Sequence, residues 1–464
     1  MEINRIAKKT ILYGIGNFSS KFLGFVLLPL YALYVPSNDL GFYDLTQTMI
    51  GLLTPLLFLA IWESILKFLI GRDDNDRVQI VSTLVFFLVS ISIFGFIILS
   101  IFLYFLKYDF RWPALISFML ITQGLVYSWQ YFARAFGENK IYVISSIIGS
   151  VTNFIFFILF IILNNTGVLG LLLALIFSQL SILLIIELKI RILCKVNLRL
   201  INLNILKNIL KYSIPLTFNL VAIWMITGFG RLMIIRNLGE DANGIFSFSS
   251  RFSLMILMIG SVLSMAVIEE AILTINTQNH NSNFSKSVQS IFSLFIHLII
   301  AMIPLSIIFY SLIDQTEYYS GIILVPILLL YAVITTMSSI VGSIFQAISR
   351  TKYQMISTLV GSVGTVLFSL LFIDRFGLIA IAYGQLIGSI IMLFIRCLYA
   401  FKFTGFILKW FPIIMNVIFY ILIAFISLNQ KTQFSYIIIL PLYIVIFFRE
   451  RKFFLSSIKF VFRK

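Results

Sequence analysis

VQIVSTLVFFLVSISIFGFIILSIFLYFL, residues 78–106, is a run of 29 residues without a charged side chain. A helix rises about 1.5 Å per residue, so about 20 such residues cross a hydrocarbon core about 30 Å thick. A surface helix of a water-soluble domain keeps one polar face, and this stretch has none. Arg77 precedes it and Lys107 follows it, so its charges stand at the two ends and nowhere between. The stretch reads as one membrane span.

Working outward, the rest of the chain repeats this pattern. Of its 464 residues, 60% are apolar and 11% charged, against about 45–50% and about 25% in soluble globular domains. That composition excludes an ordinary soluble protein and supplies apolar material for about 14 spans. Cutting at the charged and Asn/Gly/Pro-containing breaks gives spans at residues 11–35, 42–70, 78–106, 112–133, 141–163 and 168–188. After a polar stretch at 189–211 come 212–235, 245–275, 288–313, 321–347, 353–373, 378–398, 406–428 and 434–448. The apolar run from Thr10 to Val35 has no small-residue cleavage pattern and reads as a retained first helix.

Thirty-four Lys and Arg stand against 18 Asp and Glu, a net charge of +16. The basic residues punctuate apolar runs instead of forming a face on a soluble scaffold, which argues against nucleic acid as a partner. Their distribution sets the orientation, because basic loops resist translocation. With the N-terminus inside, 25 of the 34 fall on the inner side, Arg396 among them, six fall outside, and Lys21, Lys67 and Arg251 lie within spans. An odd number of spans would put the basic tail at 449–464 outside, so both termini are expected in the cytoplasm. Cys194 and Cys397 are far apart and each lies near a charged segment, which argues against a disulfide. Two histidines, His280 and His297, are too few for a metal site.

The chain also repeats itself. Leu40-Gly41-Phe42-Tyr43 has a counterpart in Asn243-Gly244-Ile245-Phe246, an offset of 203. Residues 133–151 and 345–363 align without gaps at an offset of 212, matching Ser145, Gly149 and Ser150 to Ser357, Gly361 and Ser362. The expectation is an all-α polytopic membrane protein of about 14 transmembrane helices, with two six-helix lobes as a parallel repeat and two C-terminal helices added. The lobes are 1–188 and 212–400, joined by a basic cytoplasmic linker at 189–211, and 401–464 holds spans thirteen and fourteen with the tail.

An ionisable residue at mid-membrane costs about 2.5–3.5 kcal/mol on insertion scales and normally faces a wet cavity or a partner. Lys21 lies eleven residues past Thr10, about 16 Å along a helix and near the middle of the core. Asn17 is one turn earlier on the same face, and Asn219 holds the matching place in the seventh span. Arg231 and Arg251 flank the outer loop between spans seven and eight. Each can snorkel to headgroups, or present the guanidinium fork that suits phosphate oxygens. Glu63 and Lys67 are spaced for a helical ion pair near the inner end of span two. With Glu269 and Glu270 near the inner end of span eight, they are the candidates for coupling or gating. Asp73-Asp74-Asn75-Asp76 reads as a solvated turn, and His297 as a hydrogen-bonded packing residue. No Gly-rich phosphate loop, zinc pattern or nucleophile elbow is present, so neither a metal nor a cofactor is expected.

Fourteen spans in two six-helix halves, a short basic N-terminus and the turn Leu40-Gly41-Phe42-Tyr43, echoed by Leu238-Gly239 and Gly244-Ile245-Phe246, resemble one known group. It is the polysaccharide transporter branch of the multidrug/oligosaccharidyl-lipid/polysaccharide exporter superfamily, and within it the O-antigen or capsule repeat-unit flippases. The resemblance implies a non-enzymatic flippase of the bacterial cytoplasmic (inner) membrane. It would carry undecaprenyl-pyrophosphate-linked oligosaccharide to the outer leaflet, with Lys21, Arg231 and Arg251 as cavity charges and Asn17 and Asn219 as polar lining. It further implies contact with membrane lipids, a polysaccharide polymerase and chain-length regulator as partners, and an ion gradient of Na+ or H+ as a coupling source. A lipid II flippase and a cation-coupled drug exporter are the alternatives within the superfamily. A polysaccharide polymerase or ligase is the alternative from another class, and the absence of a large outer loop argues against it.

Overall fold

A computed structural model of the chain describes residues 27–105, 111–274, 280–348 and 350–429. Every described element is helical, and the chain separates into two compact units, Met1–Gly244 and Ile245–Lys464. Among the described residues ten helices are long and apolar enough to cross a membrane, and a bent pair makes an eleventh. Spans two to thirteen of the sequence reading each have a helical counterpart. Lys21, Asn17, most of the first span and the fourteenth lie outside the described residues.

In the first unit, α1 (Leu28–Tyr34) is the end of the first span. Span two is two helices, α2 (Ser37–Phe58) and α3 (Trp62–Leu69), bent by 47°. Pro55 lacks the amide that would continue the ladder, and Leu59 and Ala60 then take left-handed φ values of 51° and 45°. The next helices are α4 (Asp74–Phe105), α5 (Arg111–Ala135), α6 (Asn139–Phe157, ending in a π-turn at Ile158–Leu163) and α7 (Val168–Ile190). The four-residue acidic stretch starts α4, with Asp74 paired to Arg77 at 3.5 Å. Acidic side chains there meet the positive end of the helix dipole.

Helix α5 has 25 residues and is not among the ten apolar ones. It packs on α2, α3, α4 and α7, and its polar side chains find partners there. Thr122 donates to Gln179 Oε1, Gln179 Nε2 donates to Gln123 at 2.8 Å, and Tyr131 donates to Glu63 at 2.9 Å. An interior helix can be this polar because its neighbours supply what lipid cannot.

The expected linker is shorter than its polar composition suggested. After two short 3-10 turns, α8 (Leu203–Thr227) begins inside it, its first amides at Asn204 and Ile205 capped by the Asn202 side chain. The amides of Asn197 and Asn202 donate to Ser82 Oγ and Thr83 Oγ1 of α4, so the stretch is docked along its length. Span seven is broken at Gly228, beyond which α9 (Phe229–Leu238) runs to Gly239, and α10 (Glu240–Thr274) follows.

The second unit continues with α11 (His280–Ser311), α12 (Leu324–Ala347), α13 (Thr351–Phe376), α14 (Leu378–Thr404) and α15 (Trp410–Asn429). The aligned segments of the sequence repeat behave alike in the two units. Gly149 of α6 lies against α7, where Ser178 donates to its carbonyl at 2.7 Å. Gly361 of α13 lies against α14, where a Cβ would come within 2.7 Å of the Gly388 carbonyl oxygen. In each unit the conserved spacing puts a small residue where two helices approach most closely, as membrane helix packing favours.

Candidate functional site

Arg231 is held by three features of the first unit. Gly228 ends α8 where any side chain would strike the Trp224 ring and Thr48 of α2. Trp224 Nε1 donates to the Thr48 carbonyl at 2.7 Å, fixing α8 against α2. The turn after Gly228 then carries Arg231 onto Asp44 of α2, which accepts from Nε, while Nη1 donates to the Thr227 carbonyl at 2.7 Å. The two side chains are 14% and 21% exposed. Arg231 is therefore not an isolated cation. Asp44 balances its charge, a pairing between positions 187 apart that no local pattern signals.

Close by, the first turns of α2 and α10 cross at the two glycines of the repeat. A Cβ on Gly41 would run into the Glu240 carbonyl, and one on Gly244 into the Ser37 carbonyl. Ser37 Oγ donates to Asp241 at 2.8 Å, and Asn243 Nδ2 donates to the Gly41 carbonyl at 2.7 Å. The sequence repeat located both glycines. Their meeting is a tertiary fact.

On α3, Glu63 and Lys67 do not form the expected ion pair. Glu63 accepts from Tyr131, and Arg134 lies 5.1 Å from the Tyr131 ring centre. Lys67 Nζ sits 3.8 Å from the Tyr212 ring centre on α8. The short helix α3 carries the two side chains to different neighbours, and each finds a better-fixed partner than the flexible i, i+4 pair.

Asn219 is half-buried on α8, and Arg251 is half-buried on α10 in the second unit. Glu269 and Glu270 lie on α10 shortly before its end at Thr274. His297 is buried, with Ser293 Oγ at 3.4 Å from Nδ1. Arg396, counted above with the inner segments, is instead inside α14 and 4% exposed. Its Nε donates to Ser357 Oγ at 2.9 Å, Nη1 to the Ser338 carbonyl at 2.7 Å and Nη2 to Thr358 Oγ1 at 3.0 Å. No carboxylate of the described residues lies within 4 Å of it. It ties α12, α13 and α14 together, and the only sequence hint was a basic residue seven positions after Ser389 in an otherwise apolar span.

Fold and apolar helices together define a multi-pass helical membrane protein. Residues 6–268 match the model of the polysaccharide biosynthesis protein family, more than half of the chain, and the chain belongs to that family. No curated protein matches it. Among solved structures it is similar to "Lipid II flippase MurJ, inward closed conformation", with a TM-score of 0.75 and 15% identity over 96% of this chain and 100% of that one. It is also similar to an inward-facing multidrug resistance MATE family transporter of the MOP superfamily, with a TM-score of 0.68 and 15% identity over 86% and 94% of the two chains. A MOP superfamily transporter from Pyrococcus furiosus gives a TM-score of 0.63 and 15% identity over 86% and 96%. At these identities the likeness is one of fold.

Proposed function

We propose that the protein is a flippase of the bacterial cytoplasmic membrane, moving undecaprenyl-pyrophosphate-linked oligosaccharide from the inner to the outer leaflet for surface polysaccharide synthesis. The observation that carries this reading is family membership in polysaccharide biosynthesis joined to a flippase fold matched over 96% of the chain, where the drug-exporter folds match 86%. Such a substrate cannot cross unaided, because stripping water from a pyrophosphate and from sugar hydroxyls costs several kcal/mol per group. The protein transports and does not transform it. Lys21 and Arg251 supply positive charge for the pyrophosphate, Arg231 does so only on leaving Asp44, and Asn17 and Asn219 offer polar lining. Glu63, Lys67, Glu269 and Glu270 are the positions for coupling to a Na+ or H+ gradient. A polymerase and a chain-length regulator would take the product onward.

Lys21→Ala is expected to abolish rescue of a repeat-unit-flippase-null strain while membrane insertion is unchanged. Full rescue by Lys21→Ala refutes the assignment. The similarity to a lipid II flippase favours one second reading, that the saccharide is the peptidoglycan precursor. Rescue of a strain depleted of its lipid II flippase, without rescue of the repeat-unit-flippase-null strain, would establish it.

A further inference from the structure

A cleft of about 220 Å³ opens where the last turn of α3, the first turns of α4 and the first turns of α8 meet. Its apolar part is Phe68, Ile80 and Ile205, and its polar part is Arg72, Asp76, Gln79 and Asn208. The loop before α4 and the stretch before α8 both belong to segments that the charge distribution places inside. The cleft therefore stands at the water boundary of the inner leaflet, where a lipid-linked substrate begins its passage.

The lining is selective in its chemistry. A sugar ring presents a C–H face to an aromatic ring and hydroxyls to planar polar groups, and Phe68 lines the same cleft as a carboxylate and two amides. A phosphate needs donors, and a guanidinium fork gives two in parallel. Asp74 pairs with Arg77, and no carboxylate of the described residues lies within 4 Å of Arg72. Asp76 works in the other direction: it repels a bare anion and rewards one that carries hydroxyls. The volume is below the roughly 300–1,000 Å³ of pockets for drug-sized ligands, so one sugar and its phosphate fit and a whole oligosaccharide does not.

We propose that this cleft is a receiving site for the phosphate and first sugar of a lipid-linked saccharide, with Arg72 on the phosphate, Phe68 under the ring, and Asp76, Gln79 and Asn208 on the hydroxyls. The proposal rests on the flippase reading and deepens it. The phosphate of an anionic phospholipid shares part of this chemistry, and the sugar distinguishes the two.

The test uses the full chain in phosphatidylcholine nanodiscs and two probes, geranyl-pyrophosphate-linked N-acetylglucosamine and geranyl pyrophosphate alone. The sugar-bearing probe is expected to bind about tenfold more tightly. Asp76→Asn and Phe68→Ala remove that preference, Arg72→Gln weakens both probes about tenfold, and Arg199→Gln changes neither. Equal binding of the two probes, or an Arg72→Gln variant within about twofold of the parent, overturns the site. So does loss of sugar-probe binding on adding phosphatidylglycerol to the disc, which would make it a phospholipid site. The same variants go into the rescue assay. Rescue by the parent chain with probe binding unmoved by the variants discards the site and keeps the flippase. Variant-sensitive probe binding without rescue of either strain supports the site and discards the flippase.

Discussion

Replacing Gly244 by Ala places one methyl group where α2 and α10 cross. Its Cβ would lie 2.7 Å from the Ser37 carbonyl carbon and 3.0 Å from the Ser37 Cα, besides striking the carbonyl oxygen. Carbon atoms rest at about 3.5–4.0 Å, so the two backbones must separate by roughly 1 Å. No flexible side chain can yield instead, because every neighbour named is main chain. That separation stretches the bonds from Ser37 to Asp241 and from Asn243 to Gly41, now 2.8 and 2.7 Å. Overpacking of this kind costs about 1–3 kcal/mol, which is about a 5–150-fold shift between closed and open crossings. Ser37 is 1% exposed, so a cysteine there reports opening. In nanodiscs, on a Cys194→Ser background, Ser37→Cys is expected to react slowly with a bulky maleimide. Adding Gly244→Ala should accelerate it by a factor in that range. Identical labelling rates in the two variants would refute the claim that glycine is required by the crossing.

Two further outcomes follow from the buried charges. Asp44→Asn leaves Arg231 part-buried without its counter-ion and is expected to cost about 1–3 kcal/mol, seen as a lower melting temperature in detergent. Asp44→Asn with Arg231→Gln should recover part of the loss, and strictly additive losses would show that the two do not act as a pair. Arg396→Ala removes three hydrogen bonds and leaves a cavity among α12, α13 and α14, at a cost of about 2–4 kcal/mol. Arg396→Lys should recover little, since one ammonium cannot reach three partners spread over α12 and α13, and an unchanged melting temperature for Arg396→Ala would sink this role.

Much of the fold was legible because a bilayer imposes a local rule. A span must be apolar over about 20 residues and must satisfy its own backbone, so hydropathy located helices such as α4, α7 and α14 within a few residues. The breaks were less legible. Span two bends at Leu59 and Ala60, which carry ordinary apolar side chains that give no local turn signal. Residues 203–211 read as linker because they are polar, yet the Asn202 cap makes them helix. Helix α5 is polar for a span because its surroundings are protein and not lipid.

Sequence by itself determined the membrane class, the placing of the helices that answer to spans two to thirteen, the repeat and the two glycines at matching turns. Each of these follows from composition or spacing along the chain. Tertiary structure alone decided that those glycines cross, that Arg231 answers to Asp44, that Glu63 turns to Tyr131 rather than Lys67, and that Arg396 is an interior tie and not a loop charge. An ion pair or a hydrogen bond depends on distance in space, and residues 187 positions apart leave no periodic trace of having met.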